Sequence, residues 1–218
     1  MADTTTLLLL TDSTPDGDTI LKGITHLHAA CILHDHTMAT FLPPLSHDTM
    51  HAWWRDRLGE VTSRRRHMIV CLAPTSARTA SVPSPFESQE HASPVMSMPP
   101  STSSGPPELD VAGVVSLSMP ETQTGPFRGL VEKLFVSPNH RRRGIARLMM
   151  ARLEQVALAE GRWSLMLDTE KGSDAELVYP RLGYRRLGVV EEYGYSPRDG
   201  RLVDEVWFWK DLRKSSPL

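Results

Sequence analysis

Two spacings of apolar residues run through this chain, one near two and one near 3.6, and they divide it into candidate strands and helices. Thr5 to Leu10 is β-branched or apolar and is stopped by the turn-forming run Ser-Thr-Pro-Asp-Gly-Asp, which predicts a first strand. From Thr19 to His36, Ile20, Ile24, Leu27, Ala30 or Cys31 and Leu33 or His34 recur at helical spacing, and Pro43-Pro44 closes the region that follows. Ser46 can cap a second helix whose stripe is Met50, Trp53, Trp54 and Leu58 and whose end falls near Gly59. "HMIVCLA" and "VAGVVSLSM" then read as buried strands.

The second half is more regular. "GLVEKLFV" is a strand, and Ile145, Leu148, Met149, Leu153, Val156 and Ala157 form the apolar face of a helix. "WSLMLDT" is a strand, "DAELVYPRLGY" a short helix broken near Pro180, and "RRLGVVEEY" and "LVDEVWFWKDL" are strands joined by "GYSPRDGR". The order predicts one α/β (α+β) domain over residues 1–218, a mixed sheet with a crossover helix. About 74–108 is an insertion dominated by Pro, Ser, Thr and Ala. That composition buries too little apolar surface to offset chain entropy, so it is expected to be disordered.

Charge narrows the partners. Lys and Arg number 24 against 26 Asp and Glu, which argues against a nucleic-acid-binding or membrane-surface protein. No stretch approaches the roughly 20 apolar residues of a membrane span. The only cysteines, Cys31 and Cys71, are too few for a disulfide framework, so a soluble cytoplasmic protein is expected. Metal is not expected. His34-Asp35-His36 and the i, i+4 pair His47 and His51 lack a third ligand of known position.

Against this neutral background Arg141, Arg142 and Arg143 stand immediately before a helix, the end where cations are least welcome. A strand, a short loop ending in glycine and a helix aim backbone N–H groups at an anion, and Gly144 and Ala146 leave room for a phosphate to touch the main chain. Arginine matches phosphate bidentately. The residue types alone are equally compatible with a solvated basic turn.

Arg141-x-x-Gly144-x-Ala146, between "VEKLFV" and "IARLMMARLEQVAL", resembles the (Q/R)-x-x-G-x-(G/A) signature of the GCN5-related N-acetyltransferase (GNAT) superfamily. The stretch from "LMLDTEKGS" through "YSPRDGRL" looks like the tabtoxin-resistance acetyltransferase group within it. The likeness spans roughly Val111 to Leu212; before about residue 70 only the element order agrees. It implies the GNAT fold, a mostly antiparallel sheet flanked by helices and splayed at an acetyl-CoA cleft between the strands at 131–136 and 164–169. Main-chain groups of Phe135 and Val136 would pair with the pantetheine. The N–H groups of Arg142, Arg143, Gly144, Ile145, Ala146 and Arg147 would hold the pyrophosphate, with Arg141 at the signature's first position.

Amide formation from a thioester needs a free amine, a place for the tetrahedral oxyanion and a proton for the departing thiolate. By the resemblance, Tyr179 is the proton donor, a backbone N–H around Phe135 or Val136 meets the oxyanion, and Asp168 is the base or acceptor ligand. A second family acid is missing at Leu130, and Glu132, on the same strand face, is the candidate replacement. His34, His36, Phe41, Trp53 and Trp54 could shape the acceptor wall, with core packing expected for the tryptophans. Neither cysteine falls in the coenzyme region, so direct transfer without an acyl-enzyme is expected. The expected acceptor is a small-molecule primary amine, an amino-acid-like toxin or antibiotic. A protein lysine or N-terminal acetyltransferase and a non-catalytic acyl-CoA-binding regulator are the alternatives. Homodimers are frequent in the superfamily, and nothing in the sequence forces one.

Overall fold

A computed structural model describes residues 5–75, 86 and 109–214. The predicted segments form β1 (Thr6–Leu10), α1 (Gly17–Asp35), α2 (His47–Thr62), β2 (Arg66–Pro74), β3 (Leu109–Ser118), β4 (Arg128–Val136), α3 (Ile145–Ala159), β5 (Ser164–Glu170), α4 (Asp174–Arg181), β6 (Arg185–Tyr195) and β7 (Leu202–Asp211). The seven strands make one sheet in the order β1-β2-β3-β4-β5-β7-β6. Every pairing is antiparallel except β4 with β5, which α3 joins as a crossover. The expected mixed, mostly antiparallel sheet is therefore present. The predicted disordered insertion lies outside the described residues apart from Pro74, Thr75 and Phe86, whose ring stands 5.5 Å from His26 and 5.1 Å from His47. Among the described residues no helix is long and apolar enough to cross a membrane.

Alternation along the strands divides the core into two layers. Met68, Val70, Val114 and Phe135 face α1 and α2, packing with Ile24, Met50 and Trp54. Ile69, Val115, Leu117, Leu165, Leu167, Val206 and Phe208 face the other way, onto α3 and α4. The polar positions on the α1/α2 side of β2, β3, β4, β5 and β7, among them Arg66, Ser116, Glu132, Asp168 and Glu205, share one face by the same parity.

Several details differ from the sequence pattern. Leu148 is 45% exposed and Met150 is fully buried in its place, because the crossover helix is rotated so that 145, 149, 150, 153 and 157 form its inner stripe. α2 continues past Gly59 to Thr62, since a single exposed glycine costs a helix only about 1 kcal/mol. α4 runs through Pro180 to Arg181, one residue before it would end anyway. Ser46 caps α2 as expected, accepting from Thr49 N–H at 3.3 Å.

One buried polar cluster fixes the loop between α1 and α2. Trp54 Nε1–H donates to His28 Nδ1 at 3.2 Å, so His28 Nε2 carries the proton and donates to the Ala39 carbonyl at 3.0 Å. Burial holds this imidazole neutral, its pKa pushed down to about 3. The loop that follows α1 is thereby anchored over the sheet.

Candidate active site

β4 and β5 pair only at Arg128 with Ser164, Gly129 with Leu165 and Leu130 with Met166, after which they diverge. The cause lies on β4. Between its partners Phe135 and Glu132 it has one residue more than β3 has between Val114 and Ser116, a bulge at Lys133-Leu134. Lys133 takes φ 57°, and such a bulge bends and twists its strand. The gap behind the bulge is a cavity of about 1150 Å³.

Leu134, Phe135 and Val136 form one wall of it, Thr169 and Glu170 the opposite edge, and Tyr179 of α4 the inner end. At its mouth Arg142 takes φ 60° and Gly144 φ 77°, so the chain turns sharply into α3. Gly144 caps α3 without any side-chain acceptor, and the first turn of that helix has no acidic residue. Its first N–H groups are thus left for an anion, unlike those of α2. Arg142, Gly144, Ile145, Ala146 and Arg147 line the cavity there, whereas Arg143 does not.

Arg141 also lines the cavity, but its guanidinium is engaged. It forks onto the Asp35 carboxylate at the end of α1, with Nη1 to Oδ1 at 2.7 Å and Nη2 on Oδ2. Burial alone would raise the Asp35 carboxyl, yet the hydrogen bonds from Arg141 and His34 outweigh it and hold the group below its ordinary value. Arg141 therefore braces the loop against α1, its guanidinium engaged with Asp35.

Cys31 corrects the expectation that neither cysteine is near the coenzyme. It lines the same cavity, one helical turn before Asp35, with Sγ 3.9 Å from the Val136 carbonyl. Burial and the neighbouring Asp35 charge push its thiol up to about 12, so it is a poor nucleophile there.

Tyr179 is 6% exposed and packs edge-on to Tyr184 and tilted against Phe208, with centroids at 6.2 and 5.5 Å. Burial, then the charge of Asp168, raises its phenol well above the ordinary value, so it stays protonated across the assayable range. Asp168 itself is raised, by burial first, and has Glu205 of β7 as its diagonal neighbour on the same sheet face. Glu132 is already committed: its Oε2 meets Nη1 of the buried Arg66, which also binds Ser116 Oγ at 2.7 Å and Glu60 at 2.7 Å. Lys133 lies among Glu132, Asp168 and Glu205, its ammonium 5.7 Å from the Trp53 ring and its pKa lowered by burial.

Of the aromatic and histidine candidates, Trp54 is wholly buried in the core, Trp53 is half-buried beside Lys133, and His36 lines the cavity. His34 pairs with Asp35 at 2.9 Å. His47 stacks on His51 at 5.7 Å, and among the described residues no three ligating side chains converge on a metal position. Glu205 is the residue the sequence pattern passed over. Its signal was present: like Asp168, it is an acid at an inward position of a central, largely apolar strand.

Comparison with known proteins agrees with this geometry. The sequence model of the acetyltransferase (GNAT) family matches residues 80–184. The fold is that of yncA from Salmonella typhimurium, solved with its cofactor acetyl-CoA, at TM-score 0.63 and 15% identity over 98% of this chain and 96% of that one. It is also that of RimL, a ribosomal L7/L12 alpha-N-protein acetyltransferase in complex with coenzyme A, at TM-score 0.65 and 11% identity over 97% of each chain. A protein provisionally assigned as a phosphinothricin N-acetyltransferase matches at TM-score 0.63 and 13% identity, over 96% of this chain and 99% of that one. The family match over residues 80–184 and the splayed sheet make this chain similar to the acetyltransferases of the GNAT family. It is an acetyl-CoA-dependent N-acetyltransferase of that type.

Proposed function

We propose that the enzyme acetylates a primary amine of a small molecule, an amino-acid-like toxin or antibiotic, by direct transfer. The observation that carries the small acceptor is the roof over Glu205, the diagonal neighbour of Asp168. A Cβ on Gly194 of β6 would collide with Met38 Sδ and stand 3.0 Å from Glu205 Oε1, so the α1–α2 loop meets β6 across this part of the sheet. An extended peptide would need an open groove there.

In this reading Asp168 takes a proton from the acceptor ammonium. The nitrogen lone pair then forms the C–N bond at the thioester carbonyl, and a backbone N–H near Phe135 or Val136 meets the oxyanion. When the C–S bond breaks, sulfur keeps its electron pair and receives the Tyr179 proton, which the amine's second proton replaces. The sum is ammonium plus acetyl-CoA giving amide, coenzyme A thiol and one proton. Glu132, held by Arg66, contributes negative charge beside the base. Loss of the amine's charge would spoil recognition by a toxin's target.

The test is release of free thiol from acetyl-CoA in the presence of amino acids, amine antibiotics, polyamines and lysine peptides. Release that depends on one small amine is expected; release with peptides alone would replace this reading by protein acetylation, and none with any acceptor by a coenzyme-binding regulator. The coenzyme site is checked separately. Gly144 has open space around its α-carbon but a left-handed φ of 77°, so Gly144→Asp would set a carboxylate among the uncapped N–H groups of α3 on a strained turn, and Gly144→Ala is the control for the strain alone. Acetyl-CoA affinity measured by calorimetry should fall at least about tenfold, since like charge and a blocked anion site act together. Wild-type affinity would remove the pyrophosphate from this loop.

A further inference from the structure

We propose that Glu205 is a positioning residue that makes Asp168 part of a two-carboxyl base, the pair together accepting the acceptor's proton. This rests on the reading of Asp168 as the base.

The geometry starts from strand register. Asp168 lies opposite Trp207, and Glu205, two residues earlier on β7, is its diagonal neighbour on the same face, within reach of a carboxyl–carboxyl hydrogen bond. Glu205 is 7% exposed and roofed by Gly194 and Met38, whereas Asp168 is half-buried and so the more accessible of the two. Each element packed around Glu205 supplies a defined neighbour. β5 gives Asp168 and, straight across, Glu170, whose charge is met by Arg198 and His36; β4 gives Lys133. β6 gives the uncharged Val190 and Gly194, and the α1–α2 loop gives Met38.

Two carboxyl groups this close cannot both ionise as easily as one, so the pair holds a proton to higher pH than a lone acid. Burial, then the Asp168 charge, puts that step at about 7. Above it both groups are ionised, and the pair can take the ammonium proton and keep it as the hydrogen bond between them. A base poised near operating pH is the efficient one. Lys133 keeps the doubly ionised form from being prohibitively charged. The proton leaves to solvent from Asp168, the more accessible of the two.

The experiment compares wild type with Glu205→Gln and Asp168→Asn. Thiol release is followed from pH 5 to 9 with acetyl-CoA and the fastest amine of the panel, after calorimetry shows that each variant still binds acetyl-CoA. The ratio of kcat/KM between variant and wild type cancels the amine's own titration. Glu205→Gln should lower kcat/KM about tenfold at pH 8, and its ratio to wild type should rise as pH falls below about 7, because the acid limb has moved down by about one pH unit or more. A ratio flat in pH would reduce Glu205 to a structural role and overturn the proposal while leaving Asp168 as the base. An Asp168→Asn variant as active as wild type would instead overturn the base itself. Carbon-13 NMR of the Asp and Glu carboxyls, without any acceptor, gives an independent answer: a titration near pH 7 is expected in wild type and in neither variant. Its persistence in Asp168→Asn would show that Glu205 titrates alone.

Discussion

Replacing Tyr179 by Phe is expected to lower kcat about a hundredfold while acetyl-CoA affinity stays within about twofold, the loss being that of one positioned proton donor. The substitution removes only the hydroxyl. The ring keeps its packing against Tyr184 and Phe208, so stability should change little. Burial and the Asp168 charge raise the phenol, and the sign of the shift matters: a raised pKa keeps the donor protonated at every assay pH, so Tyr179 contributes no alkaline loss of activity up to about pH 9. The wild-type profile should accordingly rise with pH through the carboxyl pair and then level off. The check is steady-state thiol release beside calorimetry of acetyl-CoA binding. Unchanged turnover would remove Tyr179 from the reaction, and a loss confined to KM would mean that it shapes the cleft instead.

Much of this arrangement could be read from the sequence because local periodicity decides it. The strand-loop-helix run from "VEKLFV" into "IARLMM" marks where an anion can sit, and the alternation of Leu165, Leu167 and Asp168 in β5 already puts Asp168 on the face opposite Leu165 and Leu167. The bulge at Lys133 was not legible. It is an extra residue relative to β3, and no residue type on β4 announces an extra residue that only pairing defines. The same holds for contacts between distant segments. Arg141 read as a phosphate ligand because nothing local opposes it, and only the folded chain brings Asp35 from the end of α1 to meet it. Cys31 reached the cavity by the same route, carried by α1 to the Val136 carbonyl.

Glu205 illustrates a further limit. Its parity on β7 matches that of Trp207 and Trp209, so alternation could have placed it on the acceptor face. Its partner could not have been found that way, since the sheet order inserts β7 between β5 and β6. The pairing of these two acids thus depends on one topological step, a late strand returning to lie beside the strand that carries Asp168.

The same return of β7 creates the largest expected stability effect, at Lys210 on the α3 side of the sheet. Its ammonium is 4% exposed and bonds both oxygens of Glu154 of α3 and the Leu182 carbonyl, each at 2.8 Å, with the Tyr184 ring 5.3 Å away. All three ammonium protons are therefore used, and they tie α3 to β7 and to the turn after α4, which holds Tyr179 in place. Lys210→Ala would leave the Glu154 carboxylate buried without its counter-ion, at a cost of about 3–5 kcal/mol. For a chain of this size that is a fall of roughly 6–20 °C in Tm. The pair itself need not be strongly stabilising, because both ions are desolvated to make it. Lys210→Met alone should lose a similar amount, a Lys210→Met, Glu154→Leu double variant should recover most of it, and these two with wild type and the Glu154→Leu single variant make the four-protein cycle that measures the coupling. Urea and thermal unfolding of the four proteins check this. A single variant within about 1 kcal/mol of wild type would mean that Glu154 finds water or a proton when Lys210 is gone, and that α3 is held to the sheet by its apolar stripe alone.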